Sequence, residues 1–197
     1  MVKLALIRHG PTDWNRQKLV QGSTDVPLGA EGEKEVAAWN MPSEFSSFNW
    51  LSSPLARSQR TAELLRGAPV VTDPRLAEMA WGDWEGKVLA DMRSELGELM
   101  AAWEAKGLDF RGPGGESPRE VQKRVRPLLA ELAEAGEDTV AVCHKGVIRA
   151  IYALAAAWDM TAKPPHKLLD GCIQLVDLGP NGDPSISMLN IRMIPHQ

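Results

Sequence analysis

At 197 residues the chain is long enough for one domain with a substantial buried core. Hydrophobic residues make up 44% and charged residues 24%, an ordinary balance for a soluble globular protein. A net charge of −4 argues against nucleic acid as a partner, because its binders carry a dominant basic surface.

The first apolar run, Val2–Ile7, is short and continuous, as expected of a strand covered on both faces. It reaches Arg8 after too few apolar residues for a signal peptide. The run ends in Arg8-His9-Gly10, and Trp14-Asn15 and Gln21-Gly22 follow closely. Phe48–Ser52 reads as a weaker strand, and Ser53-Pro54-Leu55-Ala56-Arg57 then opens a helix through Leu65, placing Arg57 near its N-terminus. A further weak strand, Pro69–Thr72, leads into Arg75-Leu76-Ala77-Glu78 and then Trp81-Gly82-Asp83-Trp84-Glu85-Gly86.

Over Val88–Lys106 the apolar residues Val88, Leu89, Met92, Leu96, Leu99, Met100 and Trp103 recur every three or four positions, which predicts a helix. Gly112-Pro113-Gly114-Gly115 lacks both a preceding strand and a following Lys-Ser/Thr pair, so it reads as a turn rather than a phosphate loop. The next helix has a start signal in Ser117 as N-cap, Pro118 at the first position and Glu120 closing a capping box. Its buried face is Val121, Val125, Leu128, Leu129 and Leu132. The segment between Glu78 and His144 thus holds about two helices, and residues 81–116 are expected to form a helical lid.

Thr139–Cys143 is a second buried strand, and it runs into His144-Lys145-Gly146. Cys143 inside it is expected to be an inert core thiol, and with Cys172 it makes two cysteines, too few for a disulfide framework or a thiolate metal site. The longest apolar stretch, Val147–Trp158, is interrupted by Arg149 and is too short to span a bilayer, so the expected location is cytoplasmic with no membrane partner. His166 and His196 are expected to be solvated. Cys172–Leu178 and Ser185–Ile191 are strand-like and are joined by a turn containing Asn181-Gly182 and two prolines, predicting a hairpin. Strands alternating with helices before that hairpin predict one α/β domain over residues 1–197. Its expected form is a three-layer α/β/α sandwich around a mostly parallel sheet with an antiparallel edge.

Ligands of open α/β sheets bind at the carboxyl ends of the strands, where both histidine tripeptides fall. Two arginines, two histidines and a carboxylate suit phosphoryl transfer. A phosphate dianion needs cationic, multidentate donors, and arginine's planar fork matches its oxygens. A neutral imidazole can attack phosphorus, and the charges of Arg8 and Arg57 favour the neutral form. A carboxyl group can protonate the leaving alkoxide, and Glu78 beside a bound dianion is pushed toward its acid form. Glu85 is the nearby rival for that role.

The residues from Leu6 to Asn15 (Leu-Ile-Arg-His-Gly-Pro-Thr-Asp-Trp-Asn) closely resemble the opening motif of the histidine phosphatase superfamily, the phosphoglycerate mutase-like family. Ser53–Ala62 resembles its second arginine motif, and Leu76-Ala77-Glu78 with Gly82–Gly86 its acid-bearing segment. Gly114–Ser117 resembles the helix start after the lid, and Cys143–Ala150 the second histidine motif. The resemblance spans Leu4 to about Tyr152 and implies a phosphoglycerate mutase-like fold. It implies His9 as the nucleophile that becomes phosphohistidine, Arg8, Arg57 and His144 as the phosphoryl clamp, and Glu78 as proton donor and later base. Asn15, Gln21 and Gly22 are implied as further substrate contacts, with no metal and no cofactor.

Pro11 and Asp13 stand where the family commonly has glutamates, and Lys145 where it often has a small residue beside the second histidine. That lysine could add a phosphate contact, point to solvent or crowd the pocket, and it is left out of the core site. Trp81, Trp84 and Trp103 could line the pocket or pack the lid.

The expected activity is a phosphomonoesterase acting on a small-molecule phosphate ester. A phosphoglycerate mutase using the same phosphohistidine is the alternative, and an inactive phospho-ligand binding module is a third reading. A short lid favours hydrolysis, since a mutase must keep its intermediate from water. The helical lid or the edge strand offers a surface for a homodimer.

Overall fold

The computed structural model describes residues 1–195; His196 lies outside them. The elements in chain order are β1 (Val2–Arg8), α1 (Asp13–Arg16), α2 (Ala30–Ala37), β2 (Trp39–Asn40), β3 (Asn49–Ser52), α3 (Ala56–Arg66) and β4 (Val71–Thr72). They continue with α4 (Leu89–Leu96), α5 (Glu98–Glu104), α6 (Pro118–Ala135), β5 (Thr139–Cys143), α7 (Lys145–Ala155), β6 (Cys172–Leu178), β7 (Pro184–Arg192) and β8 (Ile194–Pro195).

Six strands form one sheet in the order β4-β3-β5-β1-β6-β7. The pairs β4–β3, β3–β5 and β5–β1 are parallel, while β6 and β7 run antiparallel at one edge. The continuous apolar runs in β1 and β5 have a direct cause, because helices cover the sheet on both faces. Leu4 and Leu6 of β1 and Ala141 and Cys143 of β5 face α6 and α7, in a core with Val121, Val125, Leu129, Val147 and Ile151. Their neighbours Ala5, Ile7, Val140 and Val142 point the other way, into a core with Val36, Phe45 and Ala62. The chain therefore has a mixed α/β, three-layer fold with a mostly parallel sheet and an antiparallel edge.

The capping box of α6 forms as the sequence predicts: Ser117 accepts from the Glu120 N–H, and the Glu120 carboxylate accepts from Ser117 N at 2.8 Å. The predicted β6–β7 hairpin also forms, with a register shift near Leu175.

Other expectations change. The predicted helix over Val88–Lys106 is two helices, broken at Gly97, whose φ of +47° and ψ of −117° lie outside helical space. Three α-helices, α4, α5 and α6, therefore lie between Glu78 and His144, rather than two. The strand expected from Phe48 starts at Asn49, since Phe48 packs edge-on against Phe45 with ring centroids 5.2 Å apart. The strand expected over Pro69–Thr72 shrinks to Val71–Thr72, the part that pairs with Leu51 and Ser52.

Trp81 stacks on Trp84, Phe110 meets both rings edge-on or tilted, and Trp103 tilts against Trp84; with Met92 and Met100 they make a small separate core in the 81–116 segment. No helix among the described residues is long and apolar enough to cross a membrane.

Candidate active site

Because β1 and β5 are adjacent and parallel, with Arg8 in register with Cys143, their carboxyl ends deliver His9 and His144 to one place. The two imidazole rings lie 5.1 Å apart between centroids. His9 N donates to Cys143 O at 3.0 Å, which prolongs the strand pairing one residue past β1. Gly10 N then donates to Thr61 Oγ1 at 3.0 Å, and that hydroxyl donates to Arg57 O at 2.7 Å, so α3 anchors the turn. Gly10 is glycine because α2 packs onto it: a Cβ there would collide with Val36.

The ring of His9 is buried, with Nδ1 2.6 Å from the Gly10 carbonyl oxygen. A carbonyl can only accept, so Nδ1 carries the proton and Nε2 keeps its lone pair. Burial pushes the His9 pKa well below the usual histidine value, and the charges of Arg8 and Arg57 push the same way, outweighing the bond to Gly10. His9 is thus a neutral imidazole with a free ring nitrogen.

His144 is fully buried at the start of α7. Its Nε2 lies 2.8 Å from Ser53 Oγ and 3.2 Å from Ser58 Oγ. Ser53 Oγ also accepts from Leu55 N, which ties the His144 contact to the entry of α3. Burial, then the neighbouring His9, Arg57 and Arg8, also hold His144 well below the ordinary histidine value.

Arg57 sits in the first turn of α3 and is completely buried. Its Nη1 and Nη2 donate to the carbonyls of Thr24 (3.0 Å) and Gly22 (2.7 Å). Arg8 Nη1 pairs with Asp170 Oδ1 at 2.8 Å.

Glu78 is 8% exposed, and its Oε1 accepts from Met79 N at 2.8 Å and Gly146 N at 3.1 Å. Burial raises its pKa, more strongly than those two N–H groups and the two arginines lower it. A Cβ on Gly146 would strike the carboxylate, which explains the glycine two residues after His144.

The rival Glu85 is differently placed. It accepts from the backbone and hydroxyl groups of Ser23 and Thr24 and from Trp81 N. Those bonds hold its pKa below the usual value despite some burial, so it is an ionised clamp on the 22–25 loop.

The structure brings Arg8, His9, Arg57, Glu78 and His144 together. Asn15 is engaged elsewhere, since its Oδ1 accepts from Thr12 N at 3.0 Å in the capping box of α1. Its Nδ2 donates to Gln21 Oε1 at 3.3 Å. Gly22 contributes a carbonyl to Arg57 and is buried against Glu85 and Met79, where a Cβ would not fit. Lys145 is exposed in the first turn of α7. Cys143 is buried, and burial pushes its thiol pKa up, toward an inert side chain. His166 is exposed as expected, although its Nδ1 lies 3.0 Å from the Tyr152 hydroxyl.

Among the described residues, four buried side-chain N or O atoms find no partner in the protein: Arg8 Nε, Gln21 Nε2, Arg57 Nε and His144 Nδ1. Buried polar groups are normally paired. All four belong to residues that the sequence nominates for phosphate. No three His, Cys, Asp or Glu side chains among the described residues are gathered as a metal-ligand set. Sequence reasoning missed Ser53 and Ser58, which orient His144 from inside the second arginine motif. It also missed Asp170, whose pairing with Arg8 spans 162 positions and leaves no local signal.

A probable phosphoglycerate mutase, GpmB, of Klebsiella pneumoniae subsp. pneumoniae is 35% identical over 153 residues, 73% of this chain and 70% of the relative. The GpmB of Salmonella paratyphi C is 33% identical over 150 residues, with the same coverage. Among solved structures, a mycobacterial glucosyl-3-phosphoglycerate phosphatase complexed with VO3 superposes with a TM-score of 0.80 at 26% identity, over 97% of this chain and 100% of its own. A putative α-ribazole-5′-phosphate phosphatase of Escherichia coli gives 0.79 at 29%, over 100% and 99%. The sequence model of the histidine phosphatase superfamily (branch 1) matches residues 4–192. With paired histidines at the ends of β1 and β5 and a family match along nearly its whole length, the chain belongs to the histidine phosphatase superfamily.

Proposed function

We propose that the chain is a phosphomonoesterase that hydrolyses a small phosphorylated metabolite through a phosphohistidine on His9. The carrying observation is a neutral His9 that feels the charges of Arg8 and Arg57 and lies 5.1 Å, ring to ring, from His144, three residues that each keep an unpartnered buried nitrogen. These donors bind the phosphoryl oxygens and stabilise the charge that spreads over them in the transition state. Asn15 acts one step back, holding Gln21 Oε1 so that Nε2 turns to the substrate. Gly22 acts through its carbonyl, which fixes Arg57.

In the first half-reaction the Nε2 lone pair of His9 attacks phosphorus in line. The N–P bond forms as the P–O ester bond breaks, and Glu78 gives its proton to the departing alkoxide. In the second, water attacks the phosphohistidine, the Glu78 carboxylate takes a proton from that water, and the N–P bond breaks to release inorganic phosphate. Both residues end in their starting protonation states. Burial, by raising the pKa of Glu78, favours the acid form that the first step needs.

Whole-length likeness to phosphatases supports hydrolysis. The mutase reading draws on relatives named probable phosphoglycerate mutase. Both share the first half-reaction, so product analysis separates them. The test is phosphate release from a panel of phosphate esters together with the two monophosphoglycerates. Release by the wild type and its loss in His9→Ala are expected. Inactivity of the wild type across the panel overturns the proposal, and interconversion of the monophosphoglycerates with little free phosphate replaces it by the mutase. Tight phosphate binding with neither activity leaves a binding module.

A further inference from the structure

Beside the phosphate site lies a cavity of about 230 Å³ that the proposed chemistry does not use. Arg8, whose charge acts on His9, is one of its walls, so the cavity adjoins the phosphate site through that side chain. From there it runs along α7 to the 164–170 segment.

Its floor is apolar and aromatic, from Ile148, Tyr152, Trp158 and Leu168. Its charged lining is cationic, from Arg8, Lys145, Arg149 and Lys167 against the single carboxylate of Asp170. That carboxylate is committed to Arg8. Among the described residues, Lys145, Arg149 and Lys167 form no salt bridge. Three uncompensated cations around one hollow, in a protein of net charge −4, focus an attractive potential for an anion.

The wall is also built rather than incidental. Arg149 is held with its guanidinium carbon 5.2 Å from the Trp158 ring centroid, and Trp158 Nε1 donates to Ala162 O at 3.0 Å. The Tyr152 hydroxyl accepts from His166 N at 3.0 Å, fixing the far loop onto α7. Asn190 secures the same loop, accepting from Leu169 N at 2.8 Å and donating to Lys167 O at 2.9 Å. It does so from a left-handed conformation, φ +59°, which asparagine adopts more readily than most residues. Gln174, buried and lining the cavity, accepts from Asn190 N at 2.9 Å and completes the brace.

We propose that this cavity binds the alcohol portion of the substrate, and that this portion combines an apolar or planar body with a second anionic group, a carboxylate or a phosphate. The inference deepens the phosphomonoesterase reading and rests on it for the placement of the reacting phosphate. The body lies over Ile148, Tyr152 and Trp158, and the second anion meets Arg149, Lys167 and Lys145. Charge-assisted contacts to arginine and lysine are worth more than neutral hydrogen bonds, so the second anion acts as the selector.

The test is calorimetric titration with two non-hydrolysable ligands, phenylphosphonate and (4-carboxyphenyl)phosphonate. The carboxylate is expected to tighten binding to the wild type about tenfold or more, a preference of about 1.4 kcal/mol. That preference is expected to fall toward unity in Arg149→Gln and in Lys167→Gln. The second variant lies on an exposed loop and keeps the test open if loss of the Arg149–Trp158 stack harms folding. Equal affinity of the wild type for the two ligands overturns the proposal, as does a preference that survives in both variants. Preference without phosphate release from any ester leaves the subsite standing and removes the phosphatase. Hydrolysis of phenyl phosphate without preference does the reverse, and failure of both phosphonates to bind removes both.

Discussion

Glu78 and Glu85 lie seven positions apart, and their surroundings divide acid from clamp. Glu78 is buried with two backbone N–H donors on its carboxylate, and burial wins, raising its pKa. Glu85 meets five donors, which hold it ionised. Only the first has surroundings that favour the acid form it would give to a leaving group. In the proposed reaction that proton matters in proportion to the basicity of the leaving oxygen. Glu78→Gln is therefore expected to lower kcat/KM for an alkyl phosphate by about 10²–10⁴, the usual worth of a general acid. The loss for p-nitrophenyl phosphate should be much smaller, because nitrophenolate departs without help. The comparison needs steady-state kinetics on both esters. Equal losses would deny Glu78 its role as the acid. Activity should also fall as pH rises through the raised pKa of Glu78, and this descending limb should vanish in the variant.

The 22–25 loop shows how neighbouring elements make the site. It has no regular structure, yet its Gly22 and Thr24 carbonyls hold Arg57, and Asp25 Oδ1 accepts from Ala56 N at the start of α3. Glu85, from the 81–116 segment, clamps it on the other side. Glu85→Ala would leave several donors without their shared acceptor, each costing about 1–3 kcal/mol where burial prevents hydration. The expected result is a melting temperature lower by about 2–4 °C per kcal/mol lost, with KM for an aryl phosphate rising more than kcat falls. Thermal melts and steady-state kinetics check it; an unchanged Tm and KM would dismiss the clamp.

Local signals made some elements readable in the sequence. Ser117, Pro118 and Glu120 act within one turn, and Asn181-Gly182 within one hairpin. The break at Gly97 was hidden because apolar spacing continues across it, from Leu96 to Leu99 and Met100. α2 was not foreseen, since only Gly32 and Val36 are buried in a short, charged segment. The histidines and arginines are legible because each lies at a strand end or a helix start inside a motif, and Glu78 because it lies in a motif, although it stands in irregular chain after β4. The cavity along α7 was not, because its brace joins Lys167 and Leu169 to Asn190 across the β6–β7 hairpin.

At the scale of the whole molecule, the candidate site is part of the core. β1 and β5 supply both the central packing and the two histidines, so the chain folds around imidazoles that must stay neutral. That requirement couples stability to pH. An unfolded histidine takes up a proton below about pH 6.5, whereas buried His9 and His144 resist it until well below that value. Stability is therefore fully present above pH 6.5 and is lost as pH falls, by at most about 1.4 kcal/mol per pH unit for each histidine. Glu78 works in the opposite sense. Its folded pKa is raised, so its contribution is complete below the unfolded value and is lost as pH rises through the folded one. One carboxyl offsets two histidines only in part. The exposed pairs of Glu33, Asp109 and Glu131 have lowered pKa values, so those carboxylates stay ionised between pH 6.5 and 5 and leave that window to the buried groups. Urea unfolding at half-unit steps from pH 7.5 to 5 should show a falling free energy of unfolding below 6.5. His9→Asn should make that fall shallower by roughly the share of one histidine. A flat wild-type profile, or a variant with the full wild-type slope, would mean that His9 accepts a proton in the folded chain and lacks the neutral lone pair that the proposed attack on phosphorus needs.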